Sequence, residues 1–292
     1  LTIFLLLLLN GPIQPVPAEP VPAEPLPADS VARSRREAVI NRVDSLETAV
    51  YARRRFGYET EYMSRVVYAG RDFGVNQTGL NHQLSYETAH WTVYGKAYHW
   101  SGLPNPWAKY DLGASYHTSF FGEKLSTDFT YERWWYTNGT AANRRQLTNF
   151  TAAELEWDED WAFLAADFYY MFGTGQARQA NLSLGRYLDV YRVLGADKLE
   201  FAPQFTVMWA TVGLTPLNTH VNRARRNAEP ASDPFGLANY ELSLPVTWKK
   251  LGRFEGTAAW RYDWPQRRLK GDINHPFSYV TVNLAFTLGH LP

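Results

Sequence analysis

The chain has 292 residues, in which 29 Lys and Arg balance 29 Asp and Glu to a formal net charge of zero. That balance excludes a strongly basic nucleic-acid binder, and the absence of Cys excludes disulfide frameworks, thiolate metal sites and thiol catalysis. Aromatic residues reach 15% while the mean hydropathy is −0.37, which suits strands that alternate in polarity rather than helices that are apolar all round.

Leu1-Thr2-Ile3-Phe4 and Leu5 to Leu9 form an apolar run at the start of the chain. A membrane-spanning helix needs about 20 residues, so this run is too short to cross and fits the core of a secretory signal peptide. Residues 1–18 are expected to be that signal, with its basic leader truncated and Val16-Pro17-Ala18 as the candidate cleavage site. Three near-repeats follow: Pro15-Val16-Pro17-Ala18-Glu19, Pro20-Val21-Pro22-Ala23-Glu24 and Pro25-Leu26-Pro27-Ala28-Asp29. Proline at this density removes amide donors and favours an extended arm, so residues 19–30 are expected to be a spacer. Val31, Val39, Val43, Leu46 and Val50 then recur at helical spacing among arginines, which predicts an amphipathic periplasmic helix over 31–55. Asp29 or Ser30 is placed to cap it.

From Phe56 the period changes from 3.6 to 2, and residues 56–292 read as the main domain. Phe254-Glu255-Gly256-Thr257-Ala258-Ala259-Trp260-Arg261-Tyr262-Asp263-Trp264 is the cleanest alternation. About twelve such runs of roughly 8–14 residues are present, the length that tilted membrane strands require. They cover Tyr58–Ala69, Leu80–Glu87, Trp91–Trp100, Tyr110–Ser119, Lys124–Tyr136 and Leu147–Trp157. The second half supplies Trp161–Phe172, Asn181–Val190, Leu199–Val212, Leu237–Trp248, Phe254–Trp264 and Phe277–Leu288.

Connections after even strands are short, as in Thr88-Ala89-His90 and Asp158-Glu159-Asp160; those after odd strands are mostly long and rich in turn formers. Sorting of that kind predicts an all-β fold: a transmembrane, antiparallel, up-and-down β-barrel of about 12 strands with a short N-terminal helix, in the bacterial outer membrane. Leu164, Ala166, Phe168 and Tyr170 are expected to face lipid, as are Leu242, Leu244, Val246, Trp248, Val280, Val282, Leu284 and Phe286. Trp91, Trp100, Trp107, Trp134, Trp135, Trp157, Trp161, Trp248 and Trp264 lie near strand ends and predict interfacial girdles. The opposite parity gives the expected pore lining: Glu59, Glu61, Arg65, Lys96, Asp111, Asp128, Glu132, Glu154, Glu156, Asp167, Glu200, Glu241, Glu255, Arg261 and Asp263. Glu87 shares that face, and the excess of carboxylates predicts a modest cation preference. Arg186 breaks the pattern in strand eight, sharing parity with Leu182, Leu184 and Leu188; a bulge at Gly185 that turns it inward, or a shifted register, is expected.

Tyr62-Met63-Ser64-Arg65 with Gly70-Arg71-Asp72-Phe73-Gly74-Val75-Asn76-Gln77, continued by Asn81-His82-Gln83-Leu84-Ser85-Tyr86, resembles the opening hairpin of the TorF-like porin family. By motif the likeness covers about the first fifth of the barrel. It implies an outer-membrane location and passive passage of small solutes, with outer-membrane lipid, lipopolysaccharide and the barrel-assembly machinery as partners. The chain departs from many outer-membrane proteins at its end, where Phe286 is followed by Thr287 to Pro292 instead of closing on an aromatic residue.

Catalytic chemistry has thinner support. Glu59/Glu61 and Glu154/Glu156 put paired carboxylates on one strand face, which suits an acid–base couple, a cation site or, as favoured here, a hydrated wall. His117 and Ser119 share a face of strand four and are similar to the His-x-Ser pair of outer-membrane phospholipase A. The continuation Phe120-Phe121-Gly122 does not match that family, and their parity points them inward. The seven His show no metal-ligand spacing, so no catalytic residue, metal or cofactor is expected, and a surface esterase or a docking barrel stands as the alternative. For docking, the contacts would be the N-terminal helix and the Leu214–Gly236 loop, whose Arg223, Arg225 and Arg226 suit an anionic partner.

Overall fold

The computed structural model describes residues 37–43, 55–67, 77–102, 105–122, 124–137, 147–159, 161–173, 175–211, 235–266 and 275–290. A short helix, α1 (residues 37–43), is the described part of the expected periplasmic helix; the expected signal and spacer lie outside the described residues. The strands of the first half are β1 (Arg55–Met63), β2 (Gly79–Glu87), β3 (Trp91–Trp100), β4 (Trp107–Phe120), β5 (Leu125–Tyr136), β6 (Leu147–Glu159) and β7 (Ala162–Gly173). The second half contributes β8 (Gln176–Gly185), β9 (Leu188–Tyr191), β10 (Lys198–Phe201), β11 (Gln204–Ala210), β12 (Gly236–Lys250), β13 (Phe254–Pro265) and β14 (Phe277–His290).

All pairings are antiparallel, and β1 pairs with β14 from Arg55↔His290 to Met63↔Thr281, which closes the sheet on itself. Twelve strands form the wall, because β8 with β9 and β10 with β11 are each one strand interrupted once. The interruption has a backbone cause. In the flanking register Pro203 stands opposite Arg186 and Pro245 opposite Ala202. Arg186 N donates to the Pro203 carbonyl at 3.1 Å and Ala202 N to the Pro245 carbonyl at 3.2 Å, but neither proline has an N–H to return.

Side-chain parity survives the break: Leu184 and Leu188 are both exposed, with Ser183 buried between the strands and Asp189 half-buried. Arg186 therefore keeps its outward parity instead of turning inward. It sits near the short-turn rim rather than at mid-wall, its guanidinium 6.0 Å from the centre of the Trp161 ring. There the polar headgroup region reduces the cost of a lipid-side charge to about 0–1 kcal/mol.

The wall shows two faces. Leu84, Phe129, Leu164, Phe168, Leu182, Val246 and Val280 are exposed on the outward parity, where they form an apolar belt. A barrel whose exposed side is apolar and whose enclosed side carries charge is built for lipid, and this is the architecture of the bacterial outer membrane. Trp91, Trp107, Trp135, Trp157 and Trp161 are exposed near strand ends, as a girdle requires. Trp100 and Trp134 depart from the expected girdle: each is 6% exposed and lies on the enclosed face. Neighbouring Trp134 and Trp135 thus point to opposite sides of one strand.

Two enclosed glycines let aromatic rings lie flat on the wall. A Cβ at Gly113 would stand 2.5 Å from Tyr94, and one at Gly185 would stand 2.2 Å from the Phe163 ring. Gly185→Ala is expected to displace Phe163 and lower the stability of the detergent-folded barrel by about 1–3 kcal/mol, the usual cost of overpacking. Urea unfolding followed by tryptophan emission measures this, and adding Phe163→Leu should recover part of the loss.

Candidate functional site: the barrel interior

Alternation along each strand sends Glu59, Glu61, Lys96, Asp111, Asp128, Glu132, Glu154, Glu156, Asp167, Glu200, Glu241, Glu255, Arg261 and Asp263 to the enclosed parity. Arg65, just beyond β1, lies over the Phe277 ring at 5.1 Å. These residues do not form one cluster. They divide along the barrel axis into a packed half and an open half.

The packed half is at the rim of the long connections. On one wall Glu132 is 5% exposed and accepts three bonds: from Tyr94 Oη at 2.7 Å, Lys96 Nζ at 3.2 Å and Trp134 Nε1 at 2.6 Å. Nearer that rim Lys109 Nζ stands 2.9 Å from Asp111 Oδ2 and 4.1 Å from the ring centres of both Tyr98 and Trp134. An ammonium held between two aromatic faces and a carboxylate is compensated on every side that water has left. Trp134, Leu147, Met171 and Ala177 continue this wall as an apolar cluster, with Phe150 stacked on both Trp134 and Tyr169. Across the lumen Glu241 accepts from Arg261 Nη1 at 2.8 Å and from Tyr279 Oη at 3.2 Å, while Asn239 donates to Asp263. Asn239 and Asp263 are fully buried.

In the other half some groups reach solvent. His117 and Asp128, joined through Nδ1 and Oδ2 at 3.0 Å, have side chains 48% and 37% exposed although both face the enclosed side. Asp128, Glu154 and Asp167 stand directly opposite one another on β5, β6 and β7. Among the described residues none of the three has a Lys or Arg within salt-bridge distance. Like charges placed directly across strands destabilise a sheet, so this row is a local cost that packing does not require. Nearer the short-turn rim, Lys198 bridges Asp189 at 2.9 Å and Glu200 at 3.4 Å, Lys249 also reaches Glu200 at 3.4 Å, and Arg55 pairs with Glu87 at 2.6 Å. Glu59 and Glu61 are each held by an amide, from Asn283 at 2.7 Å and Asn81 at 3.0 Å. Neither carboxylate pair is arranged as an acid–base couple.

Sequence parity missed Lys109, because the expected fourth strand began at Tyr110 whereas β4 starts at Trp107. The expected lining also leaves out Tyr94, Tyr98, Tyr169 and Tyr279, and Trp134 is expected in the girdle; all five lie on the enclosed face. Gly113, opposite Tyr94 in the β3–β4 ladder, was the available signal for the first of them.

Removing one partner of a buried pair strands the other. Lys109→Met is expected to lower stability by about 3–5 kcal/mol, while Lys109→Met with Asp111→Leu should recover most of it. Urea midpoints of the two variants decide whether the ion pair or the aromatic packing holds this wall.

No family model and no curated protein matches the chain. Among solved structures, it is similar to the NanC porin at 12% identity, over 80% of this chain and 100% of that one, with a TM-score of 0.46. A KdgM porin matches at 8% identity over 80% and 99% of the two chains, TM-score 0.46. LpxR from Salmonella typhimurium matches at 8% identity over 80% and 100%, TM-score 0.42.

Proposed function

We propose that the protein is a porin-like channel of the outer membrane, passing small polar solutes through a lumen that narrows in its long-connection half. The observation that carries this reading is the enclosed face itself. Charged and hydrogen-bonding side chains line much of it in both halves, although a barrel with no aqueous role could fill it with apolar residues at lower cost. Twelve strands lie between the eight at which side chains fill a barrel and the 16–18 at which an open channel appears, so a narrow pore is the fitting size. The TorF-like opening hairpin supports the same reading through Tyr62, Met63, Ser64 and Arg65 and the strand after it; Gly70 to Asn76 lie outside the described residues.

A modest cation preference is part of the proposal, on narrower ground than overall charge. Arg55, Lys109, Lys198 and Lys249 bring more positive charge to the enclosed side than Arg65, Lys96 and Arg261 alone. The row Asp128, Glu154 and Asp167 concentrates negative charge on three neighbouring strands, with no Lys or Arg of the described residues within salt-bridge distance and with His117 beside Asp128. Reconstituted protein should conduct in planar bilayers with a reversal potential of cation-selective sign. Changing Asp128→Asn, Glu154→Gln and Asp167→Asn together should move the permeability ratio toward unity. Well-folded protein without conductance would end the channel reading, and anion selectivity of the parent would end the cation preference alone.

The alternative of ester hydrolysis rests on His117, which Asp128 orients at 3.0 Å, and on Ser119 two residues along the same face. The channel reading needs no nucleophile, so ester and phospholipid turnover should be absent from the purified barrel. Turnover lost in Ser119→Ala would favour the enzyme instead.

A further inference from the structure

The outward face carries a cationic departure from the apolar belt at its long-connection end. In the long-connection half of β5 to β8, Tyr131, Thr151, Tyr170 and Arg178 form one cross-strand row. Arg133 and Asn149 sit one outward step nearer the rim. Arg133 and Arg178 are both exposed on the outward parity. Arg133 Nη1 donates to Thr148 Oγ1 at 3.2 Å and Asn149 Oδ1 at 2.9 Å, both neutral acceptors, and Asn149 Oδ1 also accepts from Tyr131 Oη at 2.9 Å. Neither guanidinium is in an ion pair among the described residues.

Immediately below lies an open groove of about 770 Å³ on the same face. Thr151, Ala153 and Ala180 keep its floor low, Phe168 and Tyr170 rise from it, and Arg178 stands at its upper end. Phe168 is 54% exposed and Ala153 and Ala180 are its direct neighbours on β6 and β8, so small side chains flank a large one on both sides. A groove of this kind admits a hydrocarbon chain, and guanidiniums above it bind phosphate through paired N–H donors. Three inter-strand spacings separate Arg133 from Arg178, which with the offset of one row gives roughly 15 Å between their backbones.

The geometry points to a specific lipid. We propose that this face binds the phosphorylated disaccharide and one acyl chain of lipopolysaccharide, with phosphates on Arg133 and Arg178 and the chain in the groove beside Phe168. The position supports this choice, since long connections face the cell exterior and so place the arginines at the outer leaflet. Two phosphates at opposite ends of a disaccharide match two separated cations better than the single phosphate of a glycerophospholipid does. The inference rests on the outer-membrane location and is independent of whether the lumen conducts.

The test uses the whole barrel folded in a neutral detergent and titrated with purified lipid A, its dephosphorylated form and phosphatidylglycerol in the same micelles. Native mass spectrometry reads the bound fraction. Lipid A should bind at least tenfold more tightly than either comparison lipid. Arg133→Gln with Arg178→Gln should remove that advantage, and Ala153→Trp, which fills the groove without touching charge, should weaken lipid A while leaving the arginines in place. Resistance of each barrel to unfolding in unheated SDS verifies that the variants are folded, and conductance of the parent is recorded separately. Equal binding of lipid A and phosphatidylglycerol, or lipid A binding unchanged in both variants, would overturn the proposal.

Discussion

Every backbone amide and carbonyl of a chain that crosses lipid must be bonded within the protein, and the β1–β14 ladder is where this chain meets that demand. Until Arg55–Met63 pairs with the last strand, both edges of the sheet carry unpaired donors and acceptors, each worth several kcal/mol in hydrocarbon. Closure fixes the enclosed volume and so decides which side of each strand meets water. The two prolines show how far the demand can be relaxed. Pro203 and Pro245 each delete one donor, and the wall tolerates this where three consecutive strands are close to the short-turn rim and can draw on the remaining bonds.

Enclosure then creates the electrostatic problem that the interior solves in two ways. In the long-connection half, buried charges are paired in fixed geometry: Lys109 with Asp111 between two rings, and Arg261 with Glu241 beneath Tyr279. In the other half, Lys198, Lys249 and Arg55 are paired near the rim, while Asp128, Glu154 and Asp167 stand side by side with no Lys or Arg within salt-bridge distance among the described residues. The first arrangement gives rigidity, the second a local concentration of carboxylates. Their separation along the axis makes the interior graded rather than uniform.

The alternation of strands was legible in the sequence because a strand with lipid on one side and water on the other has no freedom to mix them. Leu242, Leu244 and Val246 against Glu241 could be sorted from the letters alone. Loop lengths likewise gave the direction of the chain. What the letters did not carry was the identity of interior aromatic residues, since Trp134 and Trp135 are chemically the same and only the neighbouring Glu132 and Lys109 distinguish them. At the seam the mismatch of Arg186 marked Gly185 as irregular, but the part played by Pro203 was hidden. A proline in a run of alternating residues reads as an interruption only when the strand opposite is known.

Among the described residues, strand side chains crowd the enclosed face in the long-connection half. Tyr94 is seated on Gly113, bonded to Glu132 and tied through it to Lys96 and Trp134, so no single side chain there can swing aside alone. Exposed rotamers exchange in picoseconds to nanoseconds, but a ring that must leave several partners together moves far more slowly. Any change in the enclosed space at this level therefore requires a cooperative rearrangement of the wall, all-or-none in kind and unlike the continuous sway of a tethered lid.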